Sequence, residues 1–403
     1  MANTTNILNL LSEETFADKM DKLTAIIAAG SSKGDGLSVS SWADVQKIVR
    51  MGLADKVFNI GDQLVSTKGD EQLVWDIIGI DQDTPADKLY THSMTIQMHG
   101  CYGLQVFDAP EALYYYGTYL IAGTYHFTIP SNYDASYGGG KTLQFTLTKQ
   151  VPAGGQVCFS WPYNTQASAG KISTYASPAS TTAIETVSVK EGSEGEDWGT
   201  IDGAGLELLD NHIQRVRYGY NNWAQSAIRQ WLNSNQAAGA WWTPQNNFDR
   251  PPAYAATTAG FLNGMDSDFL SAIGKVKKNT ALNTVTDGGG SSGRKELMFL
   301  LSKSEVYAGF ENSVNEGEPY AYYKNNSDLS SASTNADLNR VKNENGWAKY
   351  WWQRYQNSWA KYWWLRTPAS GLGSSVFMCS PTGSVESHAA GNEYGVAPAC
   401  CIV

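Results

Sequence analysis

The sequence predicts an α+β protein, and three observations point there. Apolar residues recur at helical spacing in the first 55 residues, strand and turn signals dominate from about 91 to 191, and both patterns return together afterwards. At 403 residues the chain is long enough for two or three domains, and a hydrophobic fraction of 42% supports a packed core.

Residues 1–55 read as a helical arm. Ser12 can cap a helix whose apolar face is Phe16, Met20, Leu23, Ile26 and Ile27. After a Gly-rich joint at 30–36, Ser41 and Asp44 resemble a capping pair, and Val45, Ile48 and Val49 make a second stripe ending at Gly52. Such helices need something to pack against. The arm is an attachment or oligomerisation element, or a helical part of the main fold, and the residues do not choose.

Residues 56–90 open the main domain, with strands expected at 58–62 and 73–80. Residues 91–195 read as an insertion. Segments 124–129, 143–147 and 156–161 alternate and are separated by turns at 138–140 and 152–155, which suggests a small β-sandwich. Segment 173–182 and the acidic run 191–197 read as loop or return linker. Residues 196–403 complete the main domain. Helix is expected at 226–233, with Ile228, Trp231 and Leu232 on one face, and again after Asp266 or Ser267, ahead of Phe269, Leu270 and Ile273. Segment 295–301 is a buried-strand candidate, Ser302 caps a short helix behind it, and 288–293 and 325–335 read as polar, mobile loops.

Composition excludes some partners. With 29 basic against 39 acidic residues the net charge is −10, and no cluster of Lys and Arg along the sequence suits nucleic acid or an anionic membrane. No apolar run approaches the ~20 residues of a membrane span, and the Met-Ala-Asn-Thr-Thr start lacks the basic and apolar segments of a signal peptide. The five Cys, at 101, 158, 379, 400 and 401, form no C-x-x-C pair, so neither a disulfide framework nor structural zinc is expected. Cys400 and Cys401 read as packing residues on opposite faces of a strand. The expected setting is a reducing cytoplasm, which also suits a virion protein made in the host.

The chain holds 14 Trp and 22 Tyr. One segment is duplicated: Trp347-Ala-Lys-Tyr-Trp-Trp352 recurs as Trp359-Ala-Lys-Tyr-Trp-Trp364. Six Trp in eighteen residues cannot all be buried in one small element, so some should face a ligand, a partner or another subunit.

Several segments, taken in order, carry a resemblance. They are Phe58-Asn-Ile-Gly61, Val74-Trp-Asp-Ile-Ile-Gly-Ile-Asp81, Asn222-Trp-Ala-Gln-Ser-Ala-Ile-Arg-Gln-Trp-Leu-Asn233, Phe299-Leu-Leu-Ser302 with Glu305, Trp363-Trp-Leu-Arg-Thr-Pro368 and Gly395-Val-Ala-Pro-Ala399. The chain is similar, over roughly 56–86 and 211–403, to a family of uncharacterised gut bacterial and phage proteins that resembles the C-type lectin fold. The resemblance implies a C-type-lectin-like domain whose chain ends return to a shared sheet. It also resembles the variable proteins of diversity-generating retroelements, in which mutation of template adenines scatters Asn codons near the C-terminus. That likeness implies a variable ligand-binding region at 365–402, with irregular stretches 369–375, 377–380 and 386–394 between constant anchors. Their Ser, Gly, Ala, Leu, Phe, His, Asn and Tyr are all reachable from an Asn codon. Met378, Glu386 and Glu393 are not, so they are fixed or encoded differently.

Other chemistry lacks its signatures. Glu318-Pro319 is followed by Tyr320, which breaks the lectin calcium signature. The five His show no metal-binding spacing, and there is no G-x-S-x-G elbow or phosphate-binding loop. No Asp/Glu pair for glycoside hydrolysis stands out. No catalytic residue, metal ligand or cofactor is expected.

The expected ligand-binding residues are Trp359, Tyr362, Leu372, Phe377, Ser387, His388, Asn392 and Tyr394, a mixture of aromatic and small polar side chains suited to recognition. Trp347, Tyr350 and Trp351, with Trp359 and Tyr362 of the same repeat, divide between site and subunit interface. Trp223, Trp231, Trp363, Trp364 and Arg366 read as scaffold, with Arg366 holding a loop or a carboxylate. The expected function is a phage receptor-binding protein on a virion, as a homo-oligomer such as a trimer. It would bind a host surface protein or polysaccharide and contact other virion proteins. A carbohydrate-active enzyme, a phage head or tail structural protein and a protein displayed on a bacterial surface stay open.

Overall fold

The strand Glu71–Ile80 is the spine of the largest sheet, flanked by Gln63–Lys68 and Met94–Met98, both antiparallel to it. The structure, a computed structural model, describes residues 8–9, 41–115, 117–129, 131, 139–160, 170–191, 212–307, 314–324, 339–343 and 360–403. Ala399–Ile402 pairs with Met94–Met98 and in turn receives Ile273–Gly274 and Met298–Phe299. Leu8–Asn9 joins the far edge, completing seven strands. The strand Ala399–Ile402 therefore lies inside a sheet that Leu8–Asn9 edges. The fold is mixed α+β and mostly β.

The helix Trp42–Arg50 begins with the capping box of Ser41 and Asp44 and buries Trp42, Val45, Ile48 and Val49. Trp42 meets Phe269 edge-on at 4.9 Å, and Phe269 stacks on Trp75 at 5.2 Å. Residues 42–50 thus belong to the main core, and Leu8–Asn9 is a strand, so 1–55 is not wholly a helical arm. Helical spacing was legible there; the surface its apolar face packs against was not. The helix expected after Ser12 lies outside the described residues.

The insertion forms two antiparallel sheets. Gly123–Thr128, Thr142–Leu147 and Lys190–Glu191 make one; Tyr114–Tyr115, Gln156–Ser160, Lys171–Tyr175 and Ala183–Ser188 make the other. They share a second apolar core in which Phe127 meets Phe159 at 5.6 Å. Ile213 and Val216 of the helix His212–Tyr218 enter the same core and tie the insertion to the second half of the chain.

Several local readings change. Residues 173–175, read as linker, are strand. Residues 58–62, read as strand, turn instead, with Gly61 at φ +94° and the Asp62 carboxylate accepting the Asn59 N–H at 2.9 Å. Segment 295–301 is divided: Ser291–Glu296 forms a hairpin with Val276–Ala281, while Met298–Phe299 joins the large sheet. The loop at 288–293 shrinks to Gly288, Gly289 and Gly290, all at positive φ, a conformation glycine adopts without strain. Segments 192–197 and 325–335 lie outside the described residues. The helix Ala227–Leu232 forms as its spacing predicts, capped by Ser226 with Ile228, Trp231 and Leu232 buried.

Candidate functional site

A five-stranded sheet carries the C-terminal segment, in the order Val385–Ala389, Ser375–Cys379, Trp363–Pro368, Glu393–Gly395 and Leu104–Val106. Its central strand is wholly buried. Arg366 explains much of that: its guanidinium contacts both Glu305 oxygens at 2.5 and 3.1 Å and donates to the carbonyls of Leu300 and Glu316. Glu305 also receives Lys278, which reaches Asp83 and the Tyr320 hydroxyl. Arg366 is 0% exposed, so it acts as scaffold, holding a carboxylate and loop carbonyls together.

Strand register distributes the irregular residues over two faces. Trp364 opposes Met378, Met378 opposes Glu386, and Val376 opposes His388, so these five share one face. Phe377 and Ser387 oppose each other on the other face. On the first face, Tyr394 meets Trp364 edge-on at 4.9 Å and Tyr362 at 5.4 Å. The Tyr394 hydroxyl is hydrogen-bonded to His388 Nδ1 at 3.0 Å. The strands bearing His388 and Tyr394 are separated by two others, so this contact requires a curled sheet. The outcome is a three-ring patch over a buried floor that includes Val376, Met378 and Trp364. The His388 side chain is 41% exposed, and Glu386 beside it 44%, with His388 Nε2 4.0 Å from a Glu386 carboxylate oxygen.

The other expected residues are placed as follows. Phe377 is half-buried beneath Lys303, whose Nζ lies 4.2 Å from the ring centre, and Ser387 beside it is exposed. Leu372 is exposed in the turn between Trp363–Pro368 and Ser375–Cys379. Asn392 is half-exposed in the turn leading to Tyr394. Trp359 lies outside the described residues, as do Trp347, Tyr350 and Trp351. The structure therefore brings Tyr362, His388 and Tyr394 together and sets Phe377 and Ser387 apart from them. Tyr362, Phe377 and Tyr394 also pack partly against the core, so each bridges scaffold and surface. Glu386 escaped the sequence reading because its residue type fell outside the Asn-codon set. The edge strand Leu104–Val106 escaped because it is distant in sequence.

The main chain of the irregular stretches is tied down from outside. The Asn221 side-chain amide donates to the carbonyls of Leu372 and Ser375 at 2.6 and 2.9 Å, and Thr284 donates to the Ser370 carbonyl. The Ala390 carbonyl accepts from the amides of Phe107 and Asp108, and the Gly391 N–H donates to Tyr218. At Gly219, φ +85°, an added Cβ would lie 2.5 Å from the Asp108 carbonyl, so only glycine allows this approach. These bonds use backbone atoms of the irregular stretches. Side chains there can change without removing them.

A second polar cluster lies elsewhere. Asp108 accepts the Ala227 N–H at 3.0 Å, and Glu111 accepts Arg215 and Asn246. Burial pushes the Asp249 carboxyl up to about 7, with Glu111 adding to the rise. A cleft of about 590 Å³ beside Glu111 separates the insertion from segment 250–256. Cys400 and Cys401 are both fully buried, and burial raises both thiols well above the usual range. Among the described residues no three His, Cys, Asp or Glu could hold a metal ion, and no helix is long and apolar enough to cross a membrane.

The fold and patch define a mixed α+β protein with a surface of aromatic and polar side chains on a curled sheet. Residues 205–403 match the model of a domain of unknown function (DUF6273). No curated protein and no solved structure matches the chain.

Proposed function

We propose that this chain is a ligand-recognition protein with a C-type-lectin-like domain, whose binding surface is the patch of Tyr362, His388 and Tyr394 with its flanking turns. In this reading it is a receptor-binding protein of a virion, diversified at 365–402, and it engages a polysaccharide or protein of the host surface. The observation that carries it is the separation of roles within one segment. Trp363, Trp364, Arg366, Val376 and Met378 are buried, while Leu372, Ser387 and Glu386 are exposed and His388 and Asn392 half-exposed. A backbone anchored by Asn221, Thr284 and Tyr218 supports them. Rigid aromatic rings beside adaptable small polar groups are what a paratope uses to gain contact at low entropic cost. The sheet in which Glu71–Ile80 and Ala399–Ile402, from the two flanks of the insertion, lie together supports the lectin-like reading.

The test is capture of the labelled full chain on arrays of bacterial surface polysaccharides and of intact cells. Retention on a subset is expected, falling by about 10-fold or more in a Tyr362→Ala/His388→Ala variant, as loss of central contacts implies. Equal retention by the variant would place recognition elsewhere. Diversification has its own test: a near-copy of the DNA for 365–402 beside a reverse transcriptase gene, differing only at adenines. A complete locus without one would sink that part.

A further inference from the structure

Folding gathers positive charge that the sequence scatters. Arg50, Lys88, Lys275 and Lys295 line one open cleft of about 770 Å³, in a chain whose net charge is −10. They come from four places: the helix Trp42–Arg50, the turn before Tyr90, the approach to Val276–Ala281 and the returning strand Ser291–Glu296. Lys277 stands directly across from Lys295 in the hairpin register, and both are exposed. Like charges so opposed destabilise a strand pair unless something neutralises them.

Among the described residues, Lys88, Lys275, Lys277 and Lys295 have no carboxylate within ion-pair distance. Asp87 also lines the cleft, but its carboxylate is turned to its own loop, accepting the Leu89 N–H at 3.0 Å. Among the described lining residues Asp87 is the one acidic side chain, set against four cations. Arg50 is already positioned: its Nε donates to the Val403 carbonyl at 3.1 Å, and its guanidinium lies 4.3 Å from the Tyr90 ring centre. Gln46 donates to the same carbonyl at 2.9 Å, bracing that wall. A cation held in place before binding loses little freedom when a ligand arrives.

We infer that this cleft binds a phosphate-type oxyanion of at least two negative charges, free or carried on a small sugar. Lysine ammonium groups supply point charges and arginine a planar donor fork, the two recognition modes for such oxygens. The volume suits a small molecule. The cleft shares no residue with the C-terminal patch, so it stands or falls independently of the recognition reading.

Calorimetry of the full chain with inorganic pyrophosphate, glucose 6-phosphate and glucose tests it. A dissociation constant below about 1 mM at low salt is expected for at least one phosphate ligand, with no heat from glucose. Binding should weaken steeply near 0.5 M salt, where screening shortens the reach of charge to about 4–5 Å. The Lys275→Ala/Lys295→Ala variant, which removes two of the four lining cations, should bind at least about 10-fold more weakly. Both lysines are exposed, so circular dichroism should be unchanged. A tighter fit for glucose 6-phosphate assigns a sugar-borne group, and one for pyrophosphate a free anion. Silence from both phosphates at low salt, or equal binding by the variant, overturns the inference.

Discussion

The Tyr394 hydroxyl and His388 Nδ1 lie 3.0 Å apart although two strands separate their backbones. This bond closes the exposed patch over Trp364. Replacing Tyr394 by Phe removes it but keeps the ring on Trp364, so a loss of about 0.5–1.5 kcal/mol in urea unfolding is expected. Tyr394→Ala also strips an aromatic contact and should cost more, roughly 1–3 kcal/mol.

Arg366 and Glu305 behave differently, because both are buried and each answers the other's charge. Glu305→Ala leaves Arg366 and Lys278 short of a carboxylate, and removing one partner of a buried pair costs roughly 3–5 kcal/mol. Urea unfolding of the variant checks this. A loss near that of a surface substitution would mean Asp83 and Glu316 suffice.

Much of this scaffold is legible in the sequence. Ser41 with Asp44, Asp266 and Ser302 all cap helices, because capping depends on neighbours two or three residues apart. Cys400 and Cys401 lie in a buried strand. The meeting of Tyr362, His388 and Tyr394 was not legible, since it results from sheet order and curl. The opposite placement of Phe377 results from register, which a single strand does not reveal. The cleft beside Val403 joins basic residues up to 245 positions apart, Arg50 to Lys295, and no local scan finds it.

Asp249 gives a pH dependence. Burial raises its carboxyl to about 7, Glu111 adds to the rise, and backbone N–H groups and Arg215 oppose it. An unfolded Asp titrates near ~3.9. The folded chain therefore keeps a proton that the unfolded chain releases between about pH 4 and 7. That contribution is fully present below about pH 4 and is lost as pH rises through 7. Asp249→Asn should flatten this slope, matching the parent near pH 4 and exceeding its stability at pH 8 by roughly 1–4 kcal/mol. Denaturation at both pH values reads it, and parallel curves would contradict it.

Asn221 should matter more than the residues it supports. Asn221→Ala strips a donor from the Leu372 and Ser375 carbonyls, at an expected cost of about 1–3 kcal/mol. Hydrogen exchange should rise across 369–375. Leu372→Ser, at a residue 39% exposed, should change stability by only about 0.5 kcal/mol.

On the proposed recognition reading, the scaffold does not depend on the exposed side chains of Leu372, Ser387 and Asn392. The most direct measurement is thermal unfolding of a library randomised at Leu372, Ser387 and Asn392. Most members should melt within about 5 °C of the parent, since surface changes away from caps and cores stay near 0.5 kcal/mol each. A library that melts far below the parent, or folds only with the original residues restored, would make these positions structural and contradict the account.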